Sequence, residues 1–396
     1  MSDPWLTLIG LGEDGLDGLS RASRDALAAA EIVFGGPRHL ALAGVGDRGR
    51  TWPVPFSVAP VLAARGRRVV VLASGDPFWF GAGGALVGHL APGEWVSHPA
   101  PSTFALAANR LGWRLEETLC LGLHAAPLTL IAPHLVRRRR VICLLRDGAA
   151  VADLARFLTD QGAGDSMIHA LSRLGGPLAT QCSAPACNWQ GTPDAPVCAA
   201  FEVAATCALP ATPGLPDAAF QTDGQITKSP IRALTLAALA PRPGELLWDL
   251  GAGSGSVSVE WARAGGRTLA VEAREDRAAT IRANIDRFGL VGRISLLVAR
   301  FGPDLPRGLT DAPLPDAVFI GGGASAALLA NVWGIVPPGC RIVVNAVTLE
   351  TEALLHDLHA RHGGRILRID IAEATPLGPM RGWQPSRPVV QWAATR

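Results

Sequence analysis

The sequence predicts an α/β protein in two domains. Three observations predict it: short apolar runs end repeatedly in Gly-rich turns, helical segments follow those turns, and a proline-rich stretch divides the 396 residues near the middle. A chain of this length exceeds the usual size of one hydrophobic core, so two cores are expected.

The first half opens with Leu6-Thr-Leu-Ile-Gly-Leu-Gly-Glu-Asp-Gly15, an apolar strand running into a Gly-rich turn, and Leu19 to Ala30 reads as the helix after it. Val69-Val-Val-Leu-Ala-Ser-Gly-Asp-Pro77 repeats that plan. Pro99-Ala-Pro-Ser-Thr103 and Leu121-Gly-Leu-His124 again place polar residues after apolar runs. Leu209 to Gly224 carries three prolines and neither helical nor alternating periodicity, so it reads as a linker. The domains are therefore expected at 1–212 and 213–396.

In the second half strand candidates alternate with helical segments: Leu246 to Leu250, Thr268 to Glu272, Ile294 to Ala299, Ala317 to Ile320, Arg341 to Val347, Ile366 to Ile371 and Val389 to Ala393. The segment Ile231 to Leu239 reads as a helix ahead of them. Such alternation argues a mostly parallel sheet with helices on both faces, and ligands then sit at the strand carboxyl ends.

Composition narrows the function classes. Apolar residues make up 48% and charged residues 18% of the chain, which describes an ordinary globular protein. A net charge of +2 leaves no electrostatic footprint for nucleic acid or an anionic membrane over the whole chain. The start Met-Ser-Asp-Pro-Trp lacks a basic region ahead of an apolar core, and a cytoplasmic enzyme is expected. Seven cysteines are an odd number without an export signal, so Cys182, Cys187, Cys198 and Cys207 read as free thiols; no C-x-x-C spacing favours zinc. His356, His359 and His362 read as one exposed helix face rather than a metal site, and Arg137 to Arg140 as a solvated turn.

The most informative segment is Leu246-Leu-Trp-Asp-Leu-Gly-Ala-Gly-Ser-Gly255. An apolar run feeds Gly251, Ala252, Gly253, Ser254 and Gly255, a helix follows, and Glu272 closes the next strand. Bare glycines let a ligand approach the backbone, helix-start amides are expected to face it, and one carboxylate at Glu272 suits the two hydroxyls of a ribose. A dinucleotide prefers G-x-G-x-x-G, whereas this loop is G-x-G-x-G and is preceded by Asp249, which repels phosphate and suits a cationic amino acid end. S-adenosylmethionine fits that chemistry better than a dinucleotide.

Other candidates sit at strand ends. Gly321, Gly322 and Gly323 leave room for a bulky planar substrate, while Asn345, Thr348 and Glu350 could bind a carboxylate or move a proton; tight-turn glycines and a helix-capping Thr348 are the competing readings. Lys228, in Gln225-Ile-Thr-Lys228, is the one lysine among 36 basic residues, which favours a positional need over coding bias.

Taken in order, these motifs resemble known families. The first half resembles the tetrapyrrole methylases through its Gly-rich first strand end, Ser74-Gly-Asp-Pro77 and Pro99-Ala-Pro-Ser-Thr103. The second resembles the cobalt-precorrin methyltransferase and decarboxylase branch of the seven-strand methyltransferases, through Gln225-Ile-Thr-Lys-Ser-Pro-Ile-Arg232, Trp248 to Gly255, Pro315-Asp-Ala-Val-Phe-Ile-Gly-Gly-Gly323 and Asn345-Ala-Val-Thr-Leu-Glu350. The resemblance implies a two-lobed tetrapyrrole methylase fold joined to a Rossmann-like seven-strand fold. The stretch from Cys182 to Cys207 matches poorly, and His124-Ala125-Ala126 departs from a glycine and arginine common in relatives.

It also implies two S-adenosylmethionine sites. The residues carried over are Gly75, Asp76, Pro77, Ser102 and Thr103 in the first half, and Thr227, Gly251 to Gly255, Glu272 and Phe301, the last at the adenine, in the second. The implied activity is methylation of a precorrin at ring carbon 5 by the first half, and methylation at carbon 15 with decarboxylation of the ring C acetate by the second. The product would be precorrin-8X of cobalamin biosynthesis. Asn345, Glu350 and Lys228 are the candidates for orienting the acetate and handling a proton, no metal is required, and a homo-oligomer is expected. A methyltransferase acting on RNA and a non-catalytic cofactor sensor are the alternatives. Base-amine enzymes, however, often carry Asp or Asn-Pro-Pro-aromatic where this chain has Ile-Gly-Gly-Gly.

Overall fold

Leu6–Leu11 (β1) is almost wholly buried, as a strand covered on both faces must be. It lies in a parallel sheet with Ile32–Gly35 (β2), Gly49–Thr51 (β3), Val69–Ser74 (β4) and Trp95–His98 (β5), in the order β3-β2-β4-β1-β5. β1 and β4 run in register from Leu6 opposite Val69 to Leu11 opposite Ser74, which brings their Gly-rich ends side by side. The helix expected from Leu19 spans Arg21–Ala29, because the Ser20 hydroxyl accepts the amide of Ser23 and fixes the start there.

A second sheet of the first half contains Thr118–Gly122 (β6), Arg140–Leu144 (β7), Met167–Ser172 (β8), Thr180–Pro185 (β9) and Val197–Glu202 (β10), in the order β6-β7-β10-β8-β9. It is antiparallel apart from the β6–β7 pair. The cysteine-bearing stretch that matches the family poorly supplies most of β9 and all of β10, and its four cysteines are free thiols.

The second half is a seven-stranded sheet: Leu246–Leu250 (β11), Arg267–Glu272 (β12), Ile294–Val298 (β13), Ala317–Ile320 (β14), Arg341–Ala346 (β15), Arg365–Ile369 (β16) and, after a hairpin of Ala372–Leu377 (β17) and Met380–Pro385 (β18), Val389–Thr395 (β19). The order is β13-β12-β11-β14-β15-β19-β16, parallel up to β15, with β19 inserted antiparallel between β15 and β16. All seven expected strands form, within two residues of their expected limits. The hairpin was not expected, since Pro376 and Pro385 interrupt any strand pattern.

This computed structural model describes residues 4–301 and 305–396. Contacts divide the chain into residues up to Leu128 with His134–Cys207, and Ala208–Arg396 with Thr129–Pro133. The stretch read as a linker, Leu209 to Gly224, is a packed strap on the second unit. Leu215 and Phe220 are buried in a core cluster with Val259, Ile281 and Phe288, and Gln221 exchanges hydrogen bonds with buried Asn284. Its prolines leave it only the short 3-10 turn Asp217–Ala219 and do not keep Leu215 and Phe220 from burial. Among the described residues, no helix is long and apolar enough to cross a membrane.

Candidate active site

In the second unit the glycine corner sits at the carboxyl end of central strand β11. Gly251, Gly253 and Gly255 all have φ between +60° and +76°, and a Cβ on Gly251 would stand 2.6 Å from the carbonyl oxygen of Gly322, so the two strand ends meet backbone to backbone. Several of the loop amides are used within the protein. Gly251 and Ala252 donate to the carbonyl of Val271, Gly253 to Glu272 Oε2 and Gly255 to the carbonyl of Ala252, so these four amides are used internally. Ser254, Ser256 and Val257, at the end of the loop and the start of the helix, line the cleft above it.

The cleft over this corner measures about 910 Å³. Thr227, Lys228, Gly251, Ala252, Gly253, Ser254, Gly321, Gly322 and Asn345 line it. Three expected ligand residues lie beneath or beside that lining. Buried Asp249 accepts the hydroxyl of Ser258 at 2.5 Å and its amide at 3.2 Å through Oδ2, while Oδ1 is buried without a partner among the described residues. Its place under the loop, outside the lining, corrects the expectation that it faces the ligand's amino acid end directly. Burial pushes its carboxyl up to about 6, with the Ser258 bonds opposing and the charge of Glu272 adding. Glu272 accepts amides from Gly253 and Arg274, both at 2.9 Å, and each oxygen keeps a second lone pair. Gly255 caps the helix Ser256–Arg263.

Asn345, next to last in β15, lies within a buried polar network. Its Nδ2 donates to Thr235 Oγ1 at 2.9 Å, and its Oδ1 accepts from Gln391 Nε2 at 2.9 Å. Gln391 stands directly opposite it on β19. Sequence reasoning missed Thr235 and Gln391, because nothing local pairs residues so far apart. Lys228 precedes the helix Ser229–Leu239, exposed and 3.4 Å from Asp217. Glu350 falls outside the cleft lining, on the exposed first turn of the helix Leu349–His362, where Thr348 caps the start. Phe301 also lies outside that lining, packed against the core cluster that contains Trp248 and Leu328. On the same C-terminal helix, His359 lies 3.3 Å from the carbonyl of Gly363 and His362 stacks on Trp333, so the histidines make local contacts.

The first unit has its own cleft of about 730 Å³, lined from both of its sheets. Its floor is another glycine junction. A Cβ on Gly10 would stand 1.8 Å from the carbonyl oxygen of Gly75, and one on Gly75, at φ +60°, would stand 2.7 Å from Ser102 Cα. Gly75, Ser102 and Thr103 line the cleft. Asp76 and Pro77 fall outside the lining and shape the loop: Asp76 Oδ1 accepts the amide of Phe78 at 2.8 Å, and the carbonyl of Pro77 accepts that of Gly83. Ser102 caps the helix Thr103–Leu111.

A polar cluster that the sequence reading missed lies in this cleft's lining. Arg38 pairs with Glu13 and donates from Nη2 to Ser74 Oγ and His39 Nε2, each at 3.0 Å. Because a guanidinium can only donate, His39 is neutral there with its proton on Nδ1. Burial, and then the charge of Arg38, hold its pKa down to about 4.

A glycine corner under a cleft at the carboxyl ends of a parallel sheet, with an acidic residue closing the second strand, defines the second unit as a Rossmann-like methyltransferase, and the two-sheet first unit with its own glycine-floored cleft makes the chain a two-module enzyme. Family models agree: "Tetrapyrrole (Corrin/Porphyrin) Methylases" matches residues 6–181 and "Precorrin methyltransferase domain" matches 218–396. A Sinorhizobium protein named precorrin-6Y C(5,15)-methyltransferase [decarboxylating] is 45% identical over 99% of this chain and 97% of its own length. A Mycobacterium tuberculosis protein of the same name is 38% identical over 99% of this chain and 100% of its own. The solved C-terminal domain of the Rhodobacter capsulatus precorrin-6Y C5,15-methyltransferase is 60% identical, covering 48% of this chain and 100% of its own with a TM-score of 0.45. The chain belongs to the precorrin-6Y C(5,15)-methyltransferase (decarboxylating) family, and it is a methyltransferase. The RNA alternative finds no support in these relatives.

Proposed function

We propose that the chain methylates a precorrin at ring carbons 5 and 15 and removes carbon dioxide from the ring C acetate, converting a precorrin-6-type substrate to precorrin-8X in cobalamin biosynthesis. Residues 1–212 would act at carbon 5, and residues 213–396 at carbon 15 and the acetate. The observation that carries this reading is that each unit holds its own glycine-floored cleft, Gly75 in one and Gly251 to Gly253 in the other. One S-adenosylmethionine per unit follows.

S-adenosylmethionine supplies an electrophilic methyl group, so no protein nucleophile is needed. The chain's task is to align donor and ring carbon and to exclude water. In the second unit the bare backbone of Gly251 to Ser254 and the side chain of Thr227 form the cradle. Glu272 holds the ribose through the lone pairs that Gly253 and Arg274 leave open, and Asp249 supports the loop from below through Ser258. In the first unit Gly75, Ser102 and Thr103 take the corresponding role, with Asp76 and Pro77 fixing the turn. Loss of carbon dioxide sends an electron pair into the macrocycle, and Asn345, backed by Thr235 and Gln391, orients the acetate with Lys228 as a nearby cation. Glu350, exposed away from the cleft, has no part in this reading.

Mass spectrometry after incubating the full chain with a precorrin-6-type substrate and S-adenosylmethionine tests the reading. A gain of two methyl groups with loss of one carbon dioxide is expected, and an unchanged substrate mass overturns it. The reading includes a homo-oligomer in the cytoplasm, which light scattering and cell fractionation check.

A further inference from the structure

Phe80 adopts φ +58°, a left-handed backbone that a residue bearing a β-carbon avoids. Its ring stands 5.9 Å from that of buried Phe104 yet stays 51% exposed. From the other sheet of the same unit, Gly122 comes so close that a Cβ there would lie 2.7 Å from the Phe80 ring. A strained backbone in the loop after β4 and a missing side chain at the end of β6 thus hold one aromatic ring on the wall of the cleft. Core packing gives no account of this, because a ring half in solvent gains little from burial, and strain kept at a concave site points to use.

The rest of the wall agrees. Trp79, 37% exposed, packs 4.8 Å from Phe104, and Phe56, 55% exposed, pairs with Trp52 at 5.0 Å; all of these line the same cleft. Exposed aromatic surface gathered in one concavity marks a ligand face, and flat π systems stack on such rings. With Trp52 and Phe104 beside them, the exposed rings of Phe56, Trp79 and Phe80 offer more surface than one purine covers. They suit an extended conjugated macrocycle.

We propose that Phe80, with Trp79 beside it, is the stacking face that selects a planar tetrapyrrole in the first unit's cleft. This deepens the methylation reading and rests on it for the identity of the macrocycle. The face acts through substrate binding and leaves the cofactor junction at Gly75 and Ser102 untouched.

The full-length chain and its variants Phe80→Ala, Phe80→Trp, Gly122→Ala and the double variant test it, with a precorrin-6-type tetrapyrrole as probe. Phe80→Ala should raise the KM for carbon 5 methylation about tenfold and abolish the absorption shift of the bound macrocycle, while the S-adenosylhomocysteine Kd stays within twofold. Phe80→Trp should keep both. Gly122→Ala should resemble Phe80→Ala, and the double variant should be no worse than Phe80→Ala, since removing the ring removes the clash. An unchanged KM and absorption shift in Phe80→Ala, or a loss confined to cofactor affinity, overturns the proposal. The absorption shift needs no turnover, so a parent chain that bound the macrocycle at Phe80 without methylating it would sink the methylation reading and uphold the stacking face.

Discussion

Arg232 donates from Nε to Glu260 Oε1 at 2.5 Å, and both side chains are closed off from solvent. The pair fastens the strap ahead of the seven-stranded sheet. Glu260 also accepts the amides of Gly214 at 2.6 Å and Leu215 at 3.0 Å, and Arg232 holds the carbonyls of Leu215 and Thr227 and the carboxylate of Asp217. Thr227 and Lys228 reach the cleft because this knot sets the path of the chain before them.

Replacing Arg232 with Met should therefore strand the Glu260 carboxylate in a dry core. Breaking a buried pair on one side costs about 3–5 kcal/mol. Urea unfolding monitored on the second unit should show that loss together with weaker cofactor binding; a change below about 1 kcal/mol would contradict the role given to the knot.

Asp249 makes a pH prediction. Its folded pKa of about 6 lies above the ordinary carboxyl value, so between roughly pH 4 and 6 the native chain holds a proton that the unfolded chain has released. This group's contribution to stability falls as pH rises through that window and levels off above about 6. The stability of Asp249→Asn relative to the parent should accordingly improve from pH 4 to 7, by at most about 3 kcal/mol. A difference that stays flat across the window in denaturant titrations would refute the perturbed carboxyl.

Glu272→Gln keeps the shape of the side chain and turns one acceptor into a donor, facing either the Gly253 or the Arg274 amide and removing one ribose acceptor. Calorimetry with S-adenosylhomocysteine should lose at least about tenfold in affinity at one of two sites, with the other unchanged. The reaction product should then carry a single added methyl. Two unaltered sites would remove Glu272 from cofactor binding.

Gln391→Leu takes away the donor that fixes Asn345 Oδ1. Turnover at carbon 15 should drop about tenfold or more while the affinity for S-adenosylhomocysteine stays within twofold, and stability should fall by about 1–3 kcal/mol. A stability loss with unchanged turnover per folded molecule would make the network purely structural.

The seven strands of the C-terminal sheet, the glycine corner, the acid closing strand β12 and the two-module order were legible in the residue pattern alone. These depend on neighbours in the chain: buried parallel strands such as Val69–Ser74 must be runs of apolar residues, and backbones at positive φ such as Gly251 must lack a Cβ. Long-range packing set the rest: Pro-rich 209–224 is a strap anchored by buried Leu215 and Phe220, Asn345 meets Thr235 and Gln391, Arg38 and His39 share a cleft wall with Phe80, and Glu350 and Phe301 lie outside the cleft they were expected to serve. Those outcomes follow from long-range pairing: insertion of β19 antiparallel beside β15 chooses the partners of Asn345, and burial decides which polar groups must find one another.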